Sequence, residues 1–202
     1  SNFDWEIALS SSFTGNDSLD VVMQAGSSAG YTELDMTNNS KKVTVDSISY
    51  TTSLGDKVST FFAFGGGAAG SSLYNTACVY GAQADTFSKC GVAAANIDEG
   101  FGTALGASAD LGNGFSAAVG YEGQGGSTTG MFSKESADAI GAQVAYTGDN
   151  FGVSVSWANI ENHNASNVVT TGNAHTTSIG VNAYYAPDLD NFPTISAGLE
   201  SS

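Results

Sequence analysis

Apolar side chains alternate with small or polar ones along most of this chain, at a period of two. In 151–157, Phe151, Val153, Val155 and Trp157 fall on one side of an extended segment, and Gly152, Ser154 and Ser156 on the other. Successive residues of a strand point to opposite faces, so this is the pattern of a two-sided sheet. In 114–122 Phe115, Ala117, Val119 and Tyr121 oppose Ser116, Ala118, Gly120 and Glu122. In 101–111 the series from Phe101 through Leu105 to Leu111 opposes Gly102, Ala104, Gly106, Ser108 and Asp110. In 3–13 Phe3, Trp5, Ile7, Leu9, Ser11 and Phe13 oppose Asp4, Glu6, Ala8 and Ser10. Weaker copies at 18–26, 43–53, 57–66, 137–147, 175–186 and 193–200 bring the expectation to about ten strands and no helix.

The connections alternate in length. Short turns are expected at Thr14-Gly15-Asn16-Asp17, Gly55-Asp56, Gly112-Asn113 and Gly148-Asp149-Asn150, from residues that accept positive φ or bond their own backbone. Long polar segments, 27–42, 67–98, 123–136 and 161–174, lie between them. A meander with short hairpin ends on one side and long ones on the other is the plan of a transmembrane β-barrel. Aromatics of the apolar face then collect at two levels. Phe13, Phe115, Tyr146, Phe151, Tyr185 and Phe192 lie beside the short turns, and Trp5, Phe62, Phe64, Phe101, Tyr121 and Trp157 beside the long segments. A soluble sandwich also alternates. Its outer face favours Lys, Glu and Thr, whereas the polar side here is Gly, Ser, Ala and Asn with scattered acids, which suits a curved sheet around a crowded, wet lumen. The expected fold is all-β: an antiparallel up-and-down transmembrane barrel, with the whole of 1–202 forming part of one porin-like domain.

Composition agrees with many short strands: 26 glycines, 2 prolines and 12% charged residues match neither a helix bundle nor a disordered chain. No apolar run reaches the ~20 residues of a membrane helix, and no charged-then-apolar leader opens the sequence. Barrel strands would not show as apolar runs in any case. The five cations are all lysines against 20 acids, for a net charge of -15. Binding to nucleic-acid phosphate is thereby excluded. Such an acidic chain either simply stays soluble in salty water or presents a field selective for cations.

Conventional catalytic chemistry finds little support. Gly26-Ser27-Ser28-Ala29-Gly30 has the spacing of a nucleophile elbow, but no helix follows to make the strand-to-helix turn that motif needs. His163 and His175 flank one long segment without an acid or Cys at useful spacing, and Gly123, Gly125 and Gly126 lack the context of a phosphate loop. No catalytic residue, cofactor or metal is expected. Cys78 and Cys90 suit one disulfide closing a loop in an oxidising compartment, with two free thiols as the alternative.

Acids on the polar side carry the stronger functional case. Asp4, Glu6, Asp20, Asp110, Glu122 and Asp138, with Gln24 among them, are the expected pore-lining residues. A carboxylate on a low-dielectric wall lowers the barrier for cations and raises it for anions. For Asp4 and Asp138, ordinary solvation near a strand end is an equal alternative. The 67–98 segment is the longest, and such a segment either folds into the lumen or projects outward. Folded inward, it makes Asp85, Lys89, Asp98 and Glu99 candidates for a constriction.

Two runs resemble a known family. Ser12-Phe13-Thr14-Gly15-Asn16-Asp17-Ser18-Leu19, continuing through Met23-Gln24-Ala25-Gly26, resembles the first barrel hairpin of cyanobacterial outer-membrane porins, grouped with OprB-type carbohydrate porins and sometimes labelled iron-uptake porins. Gly180-Val181-Asn182-Ala183-Tyr184-Tyr185-Ala186-Pro187-Asp188 and Phe192-Pro193-Thr194-Ile195-Ser196-Ala197-Gly198-Leu199-Glu200 look like a later strand and turn of the same family. The resemblance implies an outer-membrane location and passive diffusion of small solutes or ions, sugars included. It implies lipid and lumenal cations or solutes as partners, a homo-trimer as the candidate assembly, and a full barrel of about sixteen strands. Where the family tends to place basic residues in the first hairpin, this chain has Asn16, Asp20 and Val22, which turns the expected preference toward cations. A secreted or surface-exposed β-rich structural or adhesion protein is the alternative.

Overall fold

The computed structural model describes residues 3–27, 39–65, 68–77, 92, 94–97, 100–124, 131–132, 136–161, 175–189 and 192–202. Ten strands appear: β1 (Asp4–Ser11), β2 (Asp17–Gly26), β3 (Thr44–Leu54), β4 (Val58–Gly65), β5 (Thr103–Gly112), β6 (Phe115–Gly123), β7 (Asp138–Thr147), β8 (Phe151–Glu161), β9 (His175–Tyr185) and β10 (Ile195–Ser201). They form one antiparallel sheet in chain order, every strand hydrogen-bonded to its sequence neighbours. The sheet is not closed into a barrel, because within the described residues β1 pairs only with β2 and β10 only with β9. Connections at 12–16, 55–57, 113–114, 148–150 and 186–194 lie at one end of the strands, and the long ones at the other.

Local chemistry explains the tight ends. Gly112, Asn113 and Gly114 all have positive φ (83°, 54° and 83°), which lets β5 reverse into β6 within two residues. The first hairpin is held by one carboxylate. Asp17 Oδ1 accepts hydrogen bonds from the Ser12 and Thr14 hydroxyls (2.7 and 2.8 Å) and from the Phe13 and Thr14 amides, while its Oδ2 accepts from the Tyr50 hydroxyl (2.8 Å).

One expected strand starts later than its alternation suggested. Gly100 and Gly102 have φ of +69° and +96°, which breaks the strand before Thr103. Phe101 consequently leaves the apolar face and packs against the buried cluster of Ile97, Ala139, Ala158 and Ile160.

Burial runs opposite to that of a water-soluble sheet. Along β8, Gly152, Ser154, Ser156 and Ala158 are buried while Phe151, Val155 and Trp157 are exposed. On β9, Ser178, Gly180 and Asn182 are buried and Ile179 and Val181 exposed. The polar side is covered by the protein's own chain: parts of the β4–β5 connection, Ala68–Ala77 and Ala94–Ile97, lie across it. Two small cores result, one of Phe61, Ala63, Ala68 and Ala104, the other around Ile97.

Candidate functional site

The covered polar face is built on side chains of minimal size. Gly106 on β5 pairs with Gly120 on β6, Gly120 with Gly141 on β7, and Gly141 with Ala158 on β8. This row leaves room for a second layer of backbone directly on the sheet. A Cβ at Gly120 would overlap the Gly70 carbonyl oxygen, one at Gly180 would overlap Val92, and one at Gly141 would lie 2.8 Å from the Tyr74 hydroxyl. Strand glycines commonly mark such close backbone approach.

Polar groups of the wall then pin the overlying segment. The Asn75 amide donates to the Ser116 and Thr147 hydroxyls (3.4 and 3.0 Å), and the Ala77 amide donates to Ser154 Oγ (3.3 Å). Ser156 Oγ donates to Asn96 Oδ1, and Glu200 on β10 accepts from the Ala95 amide. Glu122 has no exposed surface; its Oε2 accepts from the Gly70 amide (3.4 Å) and its Oε1 from the Phe101 amide (2.8 Å). Buried backbone donors of an irregular segment need such acceptors. Tyr74 is held differently: its hydroxyl is buried without a hydrogen-bond partner among the described residues, and burial pushes the phenol above its usual range.

Towards the short turns the second layer stops short of filling the space. Leu73 and Asn75 face a cavity of about 530 Å³ whose wall includes Asp56, Lys57, Ser59 and Asp110. On the opposite side of the sheet most side chains are apolar. Ala117, Val144, Val155, Val181 and Leu199 make one continuous cross-strand row there, bracketed by two sets of aromatics. Phe115, Tyr146 and Phe151 stack in sequence near the short turns, with ring centroids 4.9 and 5.4 Å apart. Phe13 and Tyr50 sit at the same end, 6.4 Å apart. Near the long segments Phe62 meets Phe64 edge-on at 4.5 Å, and Tyr121 meets Phe132 at 4.0 Å. Trp5 pairs with Ala25, and Trp157 with Ala142 and Ile179, on that same apolar face.

The acids singled out from sequence divide by position. Asp4 and Glu6 are exposed on edge strand β1, with Glu6 opposite Gln24, whose amide donates to Asp46 (2.8 Å). Asp20 shares a cross-strand row with Ser10 and Ser49 and accepts from the Ser18 hydroxyl (2.7 Å). Asp110 accepts from the Gly112 amide (2.8 Å) at the cavity rim. Glu122 is turned to backbone amides rather than to open space. The register sets Asp138 apart: it alternates with Ala139 and Gln143, so it lies on the apolar side with Ile140 and Val144, where it meets the Tyr121 hydroxyl at 3.4 Å. Its cross-strand neighbour there is Glu161, itself opposite His175.

Asp85, Lys89, Asp98 and Glu99, both cysteines Cys78 and Cys90, and Ser28 and His163 lie outside the described residues. Gly70, Asn75, Asn96, Ser154 and Glu200 were not singled out as site residues. For Ser154 and Glu200 the signal was present, since both fall on the small-residue side of their strands. Among the described residues no group of His, Cys, Asp and Glu is arranged to hold a metal ion, and no helix is long and apolar enough to cross a membrane, which says nothing of crossing by strands.

The class defined by this geometry is an all-β, antiparallel, up-and-down sheet of ten strands among the described residues, with large apolar side chains exposed on one face and mostly small or polar ones covered on the other. No family model, curated protein or solved structure matches the sequence.

Proposed function

We propose that the sheet is an arc of an outer-membrane porin wall, through which small solutes or ions diffuse passively past the segment folded over its polar side. The observation that carries this reading is the inverted burial. Val144, Val155 and Val181 are 56, 49 and 40% exposed in mid-sheet, while Ser154, Ser156, Ser178 and Asn182 are at most 1% exposed. A continuous apolar band around a polar interior is what a bilayer selects, since lipid covers the one and water the other. Aromatics at both ends of the strands support it, because such rings favour the two membrane–water boundaries.

In lipid the open edges of β1 and β10 need partners, as bare backbone donors and acceptors there are too costly. On this reading the ten strands are one part of a larger wall, of about sixteen strands as the porin resemblance implies. The reading assigns no catalytic step, cofactor or nucleic-acid partner. The acidic cast of the chain, with Asp56 and Asp110 against Lys57 at the cavity, favours cations and neutral solutes. The quoted resemblance to cyanobacterial porins supports passive diffusion and leaves sugars and ions both as cargo, whereas the cation preference comes from this chain's own acids, in place of the basic residues that family tends to carry in its first hairpin.

The test is reconstitution of the full-length protein in planar bilayers under a salt gradient. Stepwise conductance with a cation-selective reversal potential is expected. Anion selectivity refutes the charge argument. A protein that stays monomeric and folded in buffer without detergent refutes the membrane reading, and returns the chain to the class of secreted or surface β-rich proteins.

A further inference from the structure

We infer that Glu122 is a positioning residue: a single buried carboxylate that latches both ends of the segment lying over the polar face and thereby sets the width of the passage. The inference rests on the porin reading for its consequence, though not for its geometry.

The 66–102 connection leaves β4 and returns at β5. Gly70 lies near its start and Phe101 near its finish, and the two amides converge on the two oxygens of one side chain from the next strand, β6. Closing so long a loop is entropically unfavourable only once. Holding its described stretches, 68–77 and 94–97, on the sheet demands local anchors, because their backbone carries donors that have no ladder to join. A fully buried carboxylate is itself tolerated only when well hydrogen-bonded. Latch and latched segment thus satisfy one another. Neighbouring features are shaped for the same contact: Gly120, two residues before Glu122 on the same face, admits the Gly70 carbonyl where any Cβ would collide, and Ile97 fills the space beside it. Gly100 and Gly102, both at positive φ, turn the Phe101 amide back toward β6. The other pins, from Ser154, Ser156 and Glu200, each hold one point of the segment. Among the side chains of the described residues, Glu122 alone is bonded near both ends. Both of its oxygens are turned to these amides, so its effect on permeation runs through the segment's position.

The test uses Glu122→Gln, which keeps the volume but offers only one acceptor oxygen, and Glu122→Ala, which offers none, in the full-length protein. Amide exchange at Gly70 and Phe101 is expected to quicken at least tenfold for one amide in Glu122→Gln and for both in Glu122→Ala, while amides of the β5–β6 pairing keep their rates. In bilayers, conductance and the size limit for neutral solutes are expected to rise from wild type to Gln to Ala. Unchanged exchange at both amides overturns the latch, whatever the conductance. Altered exchange without any conductance in wild type upholds the latch and overturns the porin reading. Should the variants not fold, wild-type exchange decides: Gly70 and Phe101 amides as fast as that of Asn16 in the exposed first turn overturn the latch, and joint slow exchange upholds it.

Discussion

A charge placed at Val155 separates a wall in lipid from a sheet in water. Val155 lies next to the midpoint of β8, paired with Val144 and Val181, and its side chain shares the exposed face with Trp157. In a bilayer, Val155→Arg puts a guanidinium near the midplane of the apolar band, at a cost of about 2–4 kcal/mol. That corresponds to a folding constant lowered by roughly 30- to 700-fold at 1.4 kcal/mol per tenfold. Leu54→Arg is the matched control. Leu54 is as exposed, on the same face, but ends β3 beside the Gly55 turn. At that depth an Arg costs about 0–1 kcal/mol. The assay is urea unfolding of vesicle-inserted protein, followed by the fluorescence of its two tryptophans, Trp5 and Trp157. If the exposed face looked to water, both substitutions would act within about ±0.5 kcal/mol. Equal midpoints for wild type, Val155→Arg and Leu54→Arg would therefore refute the membrane assignment of this face.

The covering segment yields further expectations. Ile97 is fully buried against Ala139, Ala158 and Ile160, so Ile97→Ala removes about 2–5 kcal/mol of packing from the second layer. Chymotryptic cleavage at Tyr74 of otherwise folded protein is expected to quicken by about 30-fold or more, since cleavage tracks the open population. Gly120→Val inserts a side chain where the Gly70 carbonyl lies and is expected to weaken docking by about 1–3 kcal/mol. Because Val favours strands, the wall itself should keep its thermal midpoint while the segment becomes cleavable. Asp56→Asn with Asp110→Asn removes two acids lining the 530 Å³ cavity; the reversal potential of the double variant in a salt gradient is expected to move toward zero.

The alternation of side chains was enough to locate all ten strands within a few residues, and the Gly, Asn and Asp clusters located the tight turns, because both are properties of adjacent residues. The face of each strand followed as well, for parity is carried along a strand without reference to any other. Asp138, expected on the polar side, is the exception, since it shares the parity of Ile140 and Val144, and the misplacement of Phe101 came from two glycines that break the strand at Gly102. What no local pattern contains is the partner of each face. Glu122, Ser154 and Gly120 read alike as small or polar wall positions. Only the approach of Gly70, Ala77 and Phe101 to the sheet makes Glu122 an anchor, Ser154 an acceptor and Gly120 a gap for backbone. Those contacts join residues 52 and 77 positions apart, as in Gly70 with Glu122 and Ala77 with Ser154. Chain neighbours determine a strand, its turns and its two faces; which face is covered, and by what, is decided by tertiary packing that brings distant backbone donors to acceptors in a space too small for side chains.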